Sequence, residues 1–372
     1  MEQNFYLERL RELQSNFSVK VIVGIRGAGK STLLKTFAER LKLEGVAAEE
    51  IIFIDCEENS QLKNFQQLYE LISERTGELE KFFLLIDEVD RVDECEKTIN
   101  ALFVSAPAEI YLTGSSETLA EKIAALLPQN CDVIKMYPPA FAECVENFPT
   151  ESDALQRYLK FGGLPVTFGA DENILPKFLR GVAYEMLYDI AEKNSLSDLG
   201  YLRRLTKFLA RNVGKTFMIK DITENNPLKT RNFLSVLISS GLFRKISRFD
   251  IKADEFIKGG EKFYCADNGI LSAFAEVDKM ILTENAVCNE LLQRGFSVSS
   301  GKFGAMNINF VATRGDEKLF VQVLPPNISV RKCTRPLRAL PEDAEKILIS
   351  LTPVKSFGGV KVITLRDFLS QA

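Results

Sequence analysis

One short run constrains this chain more than any other: Gly24-Ile25-Arg26-Gly27-Ala28-Gly29-Lys30-Ser31. It fits G-x-x-x-x-G-K-[ST] without deviation. Glycines at this spacing let a loop wrap so that its N–H groups converge on phosphate oxygens. A strand must precede such a loop and a helix must follow, whose N-terminal end adds positive potential. Both are readable. Val19-Lys20-Val21-Ile22-Val23 is strand-like, and Ser31 to Leu43 has helical character. Gly24, Arg26, Gly27, Ala28, Gly29, Lys30, Ser31 and Thr32 are therefore the expected phosphate-binding residues. Lys30 would reach the β and γ phosphates, and the Ser31 hydroxyl would hold magnesium.

The rest of the site is sought at the ends of other buried strands. Ile51-Ile52-Phe53-Ile54 ends at Asp55, and a helix follows at Phe65 to Thr76. Phe82 to Ile86 ends at Asp87-Glu88, and Ala108 to Leu112 ends at Thr113-Gly114-Ser115-Ser116. Apolar strands alternating with helices imply a parallel sheet covered on both faces, with ligands at the carboxyl ends of its strands. Asp87, on a neighbouring strand, is expected to hold magnesium, and Glu88 to orient and deprotonate a water. Ser115 or Ser116 stands where the γ-phosphate would be sensed; Asp55 is a candidate for indirect support. No N-K-x-D guanine-reading run and no L-S-G-G run is present, which favours ATP over GTP. Arg26, Arg91, Arg157, Arg203 and Arg204 are candidates for a transition-state arginine, with no basis for choosing among them.

Composition narrows the chemistry. The 372 residues include no histidine, so nucleophiles activated by His and metal sites built on His are excluded. Seven dispersed cysteines, none in a C-x-x-C pair, read as reduced core thiols. The net charge of −4 makes the whole protein no obvious nucleic-acid or membrane binder. No apolar run reaches the roughly 20 residues of a membrane helix, and Met1 to Arg11 lacks a secretory apolar segment. The protein is read as cytoplasmic.

Beyond the phosphate loop, several ordered segments carry a resemblance. They are Leu84 to Val89, Tyr111 to Ser116, Tyr137-Pro138-Pro139-Ala140-Phe141-Ala142-Glu143, and Tyr158 to Pro165. Glu261 to Gly269 and Thr283 to Leu291 continue the series. The chain resembles the AAA+-like prokaryotic ATPases with a C-terminal domain of unknown function, once grouped with archaeal-type ATPases. The resemblance implies an α/β protein: a P-loop NTPase parallel sheet with a helical lid, a winged helix-turn-helix and a small restriction-endonuclease-like α/β domain. The boundaries expected are 1–136, 137–199, 200–254 and 255–372. It implies catalytic roles for Lys30, Asp87, Glu88 and the sensor-like Ser115, with ATP and Mg2+ as cofactors.

Two further expectations concern the later domains. An active nuclease of the implied kind needs a metal-binding Asp and a Lys. This sequence has Asn309 and Leu324 at those places, beside Gln322, and Glu284 and Glu290 alone do not make a metal site. A non-cleaving domain that packs, binds a partner protein or docks nucleic acid is expected. Residues 201–255 hold twelve Lys or Arg against five Asp or Glu, a local +7. Lys229 and Arg231 open the expected recognition helix, and Arg244, Lys245 and Arg248 flank the expected wing. DNA contact through 200–254 is the alternative reading, in which ATP is mainly structural or regulatory.

Overall fold

The computed structural model describes residues 2–77, 79–106, 108–148, 153–222, 226–341 and 344–371, with side chains from Phe5 onward. The chain forms two units. Unit 1 comprises residues 1–138 with the short segments 193–195 and 239–241; unit 2 comprises 139–192, 196–238 and 242–372.

Unit 1 is a parallel sheet flanked by helices. Its strands are β1 (Val19–Val23), β2 (Ile51–Asp55), β3 (Phe82–Asp87), β4 (Ala108–Gly114) and β5 (Cys131–Lys135). Its helices are α1 (Glu2–Glu12), α2 (Lys30–Leu43), α3 (Phe65–Thr76), α4 (Cys95–Ser105) and α5 (Glu117–Leu126). The spatial order is β2-β3-β4-β1-β5, with every pair parallel. β3 is apolar from Phe82 to Ile86 because both faces of the sheet are covered, and all six of its residues are buried. Leu33 and Phe37 of α2 turn inward at helical spacing, and Leu68 and Ile72 of α3 do the same. The sequence placed Asp87 on a strand neighbouring β1. In the fold β4 lies between β1 and β3, so β4 passes through the site as well.

One polar residue breaks the apolar pattern of β1. Lys20 is fully buried; its ammonium lies 3.1 Å from Glu109 on β4 and donates to the Asn16 carbonyl at 3.0 Å. Burial lowers its pKa, and the Glu109 charge opposes that shift. Tyr111 donates to the same carboxylate at 3.2 Å.

Unit 2 begins with the helices α6 (Phe141–Cys144), α7 (Ala154–Phe161), α8 (Leu175–Lys193, its last residue lying in unit 1), α9 (Leu199–Arg211) and α10 (Pro227–Ser239). Strands β6 (Phe243–Asp250) and β7 (Glu255–Cys265) follow, then α11 (Asn268–Phe274) and α12 (Lys279–Gln293). The remainder is β8 (Ser297–Phe303), β9 (Met306–Arg314), β10 (Glu317–Val323), α13 (Val330–Cys333), α14 (Arg335–Arg338), β11 (Glu345–Ser350), β12 (Lys361–Thr364) and α15 (Leu365–Ser370). Seven strands form a mixed sheet in the order β12-β11-β10-β9-β8-β6-β7. The winged helix-turn-helix implied by the resemblance is expected at 200–254. The fold has α9, a single 3-10 turn at Ile219–Asp221, and α10. The boundary drawn at 254/255 falls in the turn between β6 and β7. These strands pair antiparallel, and β6 also pairs in parallel with β8 at Arg248–Ser300. The hairpin is thus continuous with the sheet that follows it.

A buried polar knot fixes unit 2. Asn268 donates to the Leu159 and Leu282 carbonyls at 3.1 and 3.0 Å. Asn285 donates to the Cys265 carbonyl and to Asn268, and accepts from the Cys265 N–H, all within 2.8–2.9 Å. Asn289 donates to the Cys265 and Ala266 carbonyls. Asp267 accepts from the N–H groups of Gly163 and Ile270 at 2.8 and 3.0 Å. These residues come from the 158–165, 261–269 and 283–291 segments, so the later stretches of the resemblance meet in one network. No helix among the described residues is long and apolar enough to cross a membrane.

Candidate functional site

The phosphate loop joins β1 to α2 and is backed by residue 136, just past β5. A Cβ on Gly24 would stand 2.2 Å from the Met136 carbonyl oxygen, so no larger residue fits there. Gly29 caps α2 with φ +107°, in the left-handed region that glycine tolerates. It offers no side-chain cap, which leaves the first N–H groups of α2 to the loop side. Gly27 is also left-handed, with φ +82°. Ala28 is buried and Arg26, Ser31 and Thr32 are at least partly open. The Lys30 ammonium is folded onto the loop itself, donating to the Gly24 and Ile25 carbonyls at 2.9 and 3.2 Å, and lies 3.4 Å from Glu88.

The ends of β3 and β4 build the acidic half. Asp87 is buried and accepts from the hydroxyls of Thr113 and Ser31. Burial raises its pKa, the two hydroxyl bonds oppose that, and the charges of Glu88 and Asp55 add to it. Glu88 has φ 52°, ψ 43°, a strained conformation for a non-glycine residue. Its N–H donates to the Thr113 hydroxyl at 2.8 Å. Thr113 thereby fixes both acids, giving its proton to one and accepting from the backbone of the other. The oxygen donors of Ser31 and Asp87 are of the hard type that magnesium prefers, so this pair fits the cation.

Glu88 sits between two cations. Lys193 approaches its other oxygen at 2.6 Å and also donates to Asp90 at 3.0 Å and to the Ser115 hydroxyl at 2.7 Å. Burial alone would push the Glu88 pKa up. Lys30, Lys193 and Arg91 outweigh it and hold the carboxyl down at about 2. Ser115 in turn donates its N–H and its hydroxyl to Asp90 at 2.9 and 3.0 Å.

The structure sorts the remaining candidates. Ser115 faces the site, whereas the Ser116 hydroxyl caps α5 by accepting from Thr118 N–H at 3.2 Å. Asp55 pairs in register with Asp87 across β2 and β3, but its carboxylate accepts from the N–H groups of Glu57 and Glu58 and so closes a turn. Arg26 and Arg91 meet on one Glu57 oxygen at 2.9 and 3.2 Å. Arg157 is in unit 2, buried, and committed to Glu172 and the Thr167 and Ala170 carbonyls. Arg203 and Arg204, also in unit 2, lie over the rings of Tyr184 and Tyr201. Sequence reasoning missed Thr113, Asp90 and Lys193 as site residues. The first two lie inside or beside stretches already singled out; Lys193 has no local signal.

The segments of unit 2 that raised other chemistry are engaged differently. Asn309 accepts from the Val323 N–H and gives its own N–H to the Gln322 side chain, both at 3.1 Å. Leu324 packs on the apolar cluster around Phe320 and Leu348. Glu284 accepts from Tyr264 at 2.6 Å, and Glu290 from Arg294 at 2.7 Å. On α10, Lys229 is bound to Asp198 at 2.5 Å and lies over the Tyr201 ring.

Residues 16–145 match the family described as an AAA domain, a nucleotide-binding P-loop ATPase module, and residues 152–280 match one described as a domain of unknown function. An uncharacterised protein of Haemophilus influenzae is 32% identical over 393 aligned residues, which cover 98% of each chain. Among solved structures, the Aeropyrum pernix ORC1 protein in complex with DNA aligns over 78% of this chain and 94% of its own, at 10% identity and TM-score 0.33. The Thermotoga maritima RuvB Holliday junction branch migration motor aligns over 65% and 86%, at 13% identity and TM-score 0.35. AMPPCP-bound DnaA of Aquifex aeolicus aligns over 63% and 86%, at 14% identity and TM-score 0.32. Likeness of that degree carries nothing about ligand or partner.

Proposed function

The chain belongs to the same family as that Haemophilus influenzae protein and carries an AAA domain, and on this premise we propose that it binds and hydrolyses ATP with magnesium as a nucleotide-driven switch. The observation that carries the reading is the alignment Lys30–Glu88–Lys193, one carboxylate between two ammonium groups. Lys30 must leave the Gly24 and Ile25 carbonyls to reach phosphate oxygens. Glu88 then loses one of the three cations that hold its pKa at about 2. Its affinity for a proton rises at the moment a nucleotide is present, as a base aimed at water requires. Ser31 and Asp87 would hold the magnesium, whose chemistry is to neutralise charge on the phosphates. Thr113 keeps Asp87 and Glu88 in register throughout.

Lys193 supplies the switch. It ties Glu88 to Asp90 and Ser115, and it is also the last residue of α8. A change in the charge of Glu88 therefore acts on the end of that helix. The preference for ATP over GTP rests on the missing guanine-reading run.

Phosphate release is the test. Lys30→Ala should lose nucleotide binding, and Glu88→Gln should bind ATP yet turn it over about a hundredfold more slowly or less. Undiminished hydrolysis in Lys30→Ala would sink the assignment. The second reading, DNA contact through 200–254, is supported by the +7 of residues 201–255 and by exposed Arg231. Salt-dependent duplex binding that disappears with Lys229→Ala and Arg231→Ala would support it; no binding at low salt refutes it.

A further inference from the structure

Several basic residues of unit 2 face carboxylates: Lys229 with Asp198, Lys245 with Glu261 and Lys262 with Glu284. Five others do not. Lys160, Arg180, Lys207, Arg211 and Lys279 have no ion-pair partner among the described residues, and all five line three adjoining hollows of unit 2.

The central hollow is a cavity of about 540 Å³ between α7, α8, α9 and α11. Lys160, Arg180 and Lys207 stand on its wall against a single carboxylate, Glu276. Lys207 also lines a second hollow of about 300 Å³, together with Arg211. Lys160 and Phe161 also line a third of about 500 Å³, together with Lys279. Asp153 and Glu172 are the acids of the third, and Arg157 occupies Glu172 at 2.8 Å. Aromatic surface accompanies the charge. Phe161, Tyr184 and Phe274 line the central cavity, with Tyr184 edge-on to Phe274 at 6.3 Å and Arg203 over the Tyr184 ring at 5.1 Å.

We propose that this groove binds single-stranded nucleic acid, phosphates lying on the five cations and a base entering the central cavity beside Tyr184. Cations that track a backbone and aromatic rings that accept bases are the two features such binding needs. A mononucleotide would fill only the central cavity and leave Arg211 and Lys279 unused. A duplex is too wide to enter hollows of this size. The hollows are lined by residues of unit 2 and the phosphate loop belongs to unit 1, so the two share no residue. Loss of ATP hydrolysis and loss of strand binding are therefore separable results.

The test uses the full chain carrying Lys30→Ala, which removes the phosphate loop as a rival site. Fluorescence anisotropy with a labelled oligothymidylate of about 20 nucleotides measures binding. The logarithm of affinity should fall with the logarithm of salt with a slope of about −3.5, as five cations on a single strand imply. Arg180→Glu with Lys207→Glu should weaken binding about tenfold or more at low salt. Tyr184→Ala should weaken it about tenfold while Tyr184→Phe retains it. All three positions are at least partly exposed, and thermal unfolding checks that each variant folds. Binding unaffected by the double charge reversal overturns the proposal. So does a preference for duplex of the same sequence, or binding of thymidine monophosphate without binding of the strand.

Discussion

The two units differ in the polar groups at their centres, although unit 2 also buries Arg157 against Glu172 and Glu290 against Arg294. Unit 1 buries charges in pairs: Lys20 with Glu109, and Lys30 and Lys193 with Glu88. Unit 2 buries amides, Asn268, Asn285 and Asn289, with Asp267 held by backbone N–H groups. A buried ion pair is poor value for stability, since apolar residues of the same volume often do as well. A satisfied amide network costs little and specifies one packing. Charge pairs therefore point to function where they can be broken and remade, as at Glu88. The amide knot points to architecture. Lys20–Glu109 tests that rule, because it is buried in unit 1 beside no phosphate-binding residue.

Substitutions can break or sharpen the contrast. Lys20→Met strands Glu109 and should destabilise unit 1 by about 3–5 kcal/mol in denaturant unfolding. A loss below about 1 kcal/mol would mean that the Ser15 N–H, Tyr111 and water already carry that carboxylate. Asn285→Ala takes the acceptor from the Cys265 N–H and the donor from the Asn268 amide oxygen and should cost unit 2 about 3 kcal/mol, with ATP turnover unchanged.

A pH series separates the units without changing a residue. Burial first, against the opposing Arg294 charge, raises the Glu290 pKa to about 7. Its folded value lies above its unfolded one, so its contribution is full below about pH 4.5 and is lost as pH rises toward 7. Glu88 runs the other way: its contribution is present above about pH 4.5 and is lost as pH falls toward 2. Glu290→Gln should flatten the decline of unit 2 between pH 4.5 and 7, an effect on the order of 2 kcal/mol read by unfolding at each pH. An unchanged slope would assign that decline to Asp267, whose pKa burial raises to about 6. The smallest effect expected is on rate. Lys193→Met removes one of the cations on Glu88 and should move the acid limb of the ATPase pH profile upward by about one unit.

The same contrast explains what could be read in advance. Strands β2 and β3 are continuous apolar runs ending at polar residues, and helix Phe65–Thr76 follows the first of them with Asn64 as its cap. The phosphate loop followed from glycine spacing alone. The order β2-β3-β4-β1-β5 did not, because apolar runs carry no record of their neighbours. In unit 2 the resemblance implied an α/β domain but not that β6 would lie parallel to β8. Ser115 and Ser116 differ by one position, and only the cap on α5 separates them. Lys193 is legible solely in three dimensions. No rule of spacing links it to Glu88.

That last residue has a consequence for synthesis. A ribosome releases β1 to β5 well before it reaches residue 193. Through that interval Glu88 has Lys30 beside it, and Asp90 and Ser115 lack their shared donor. The nascent sheet is thus assembled with the Glu88 carboxylate short of one of its cations, and that cation arrives on a helix grown afterwards. The order of translation alone would keep the phosphate site incomplete until the chain has committed its first helices beyond the sheet.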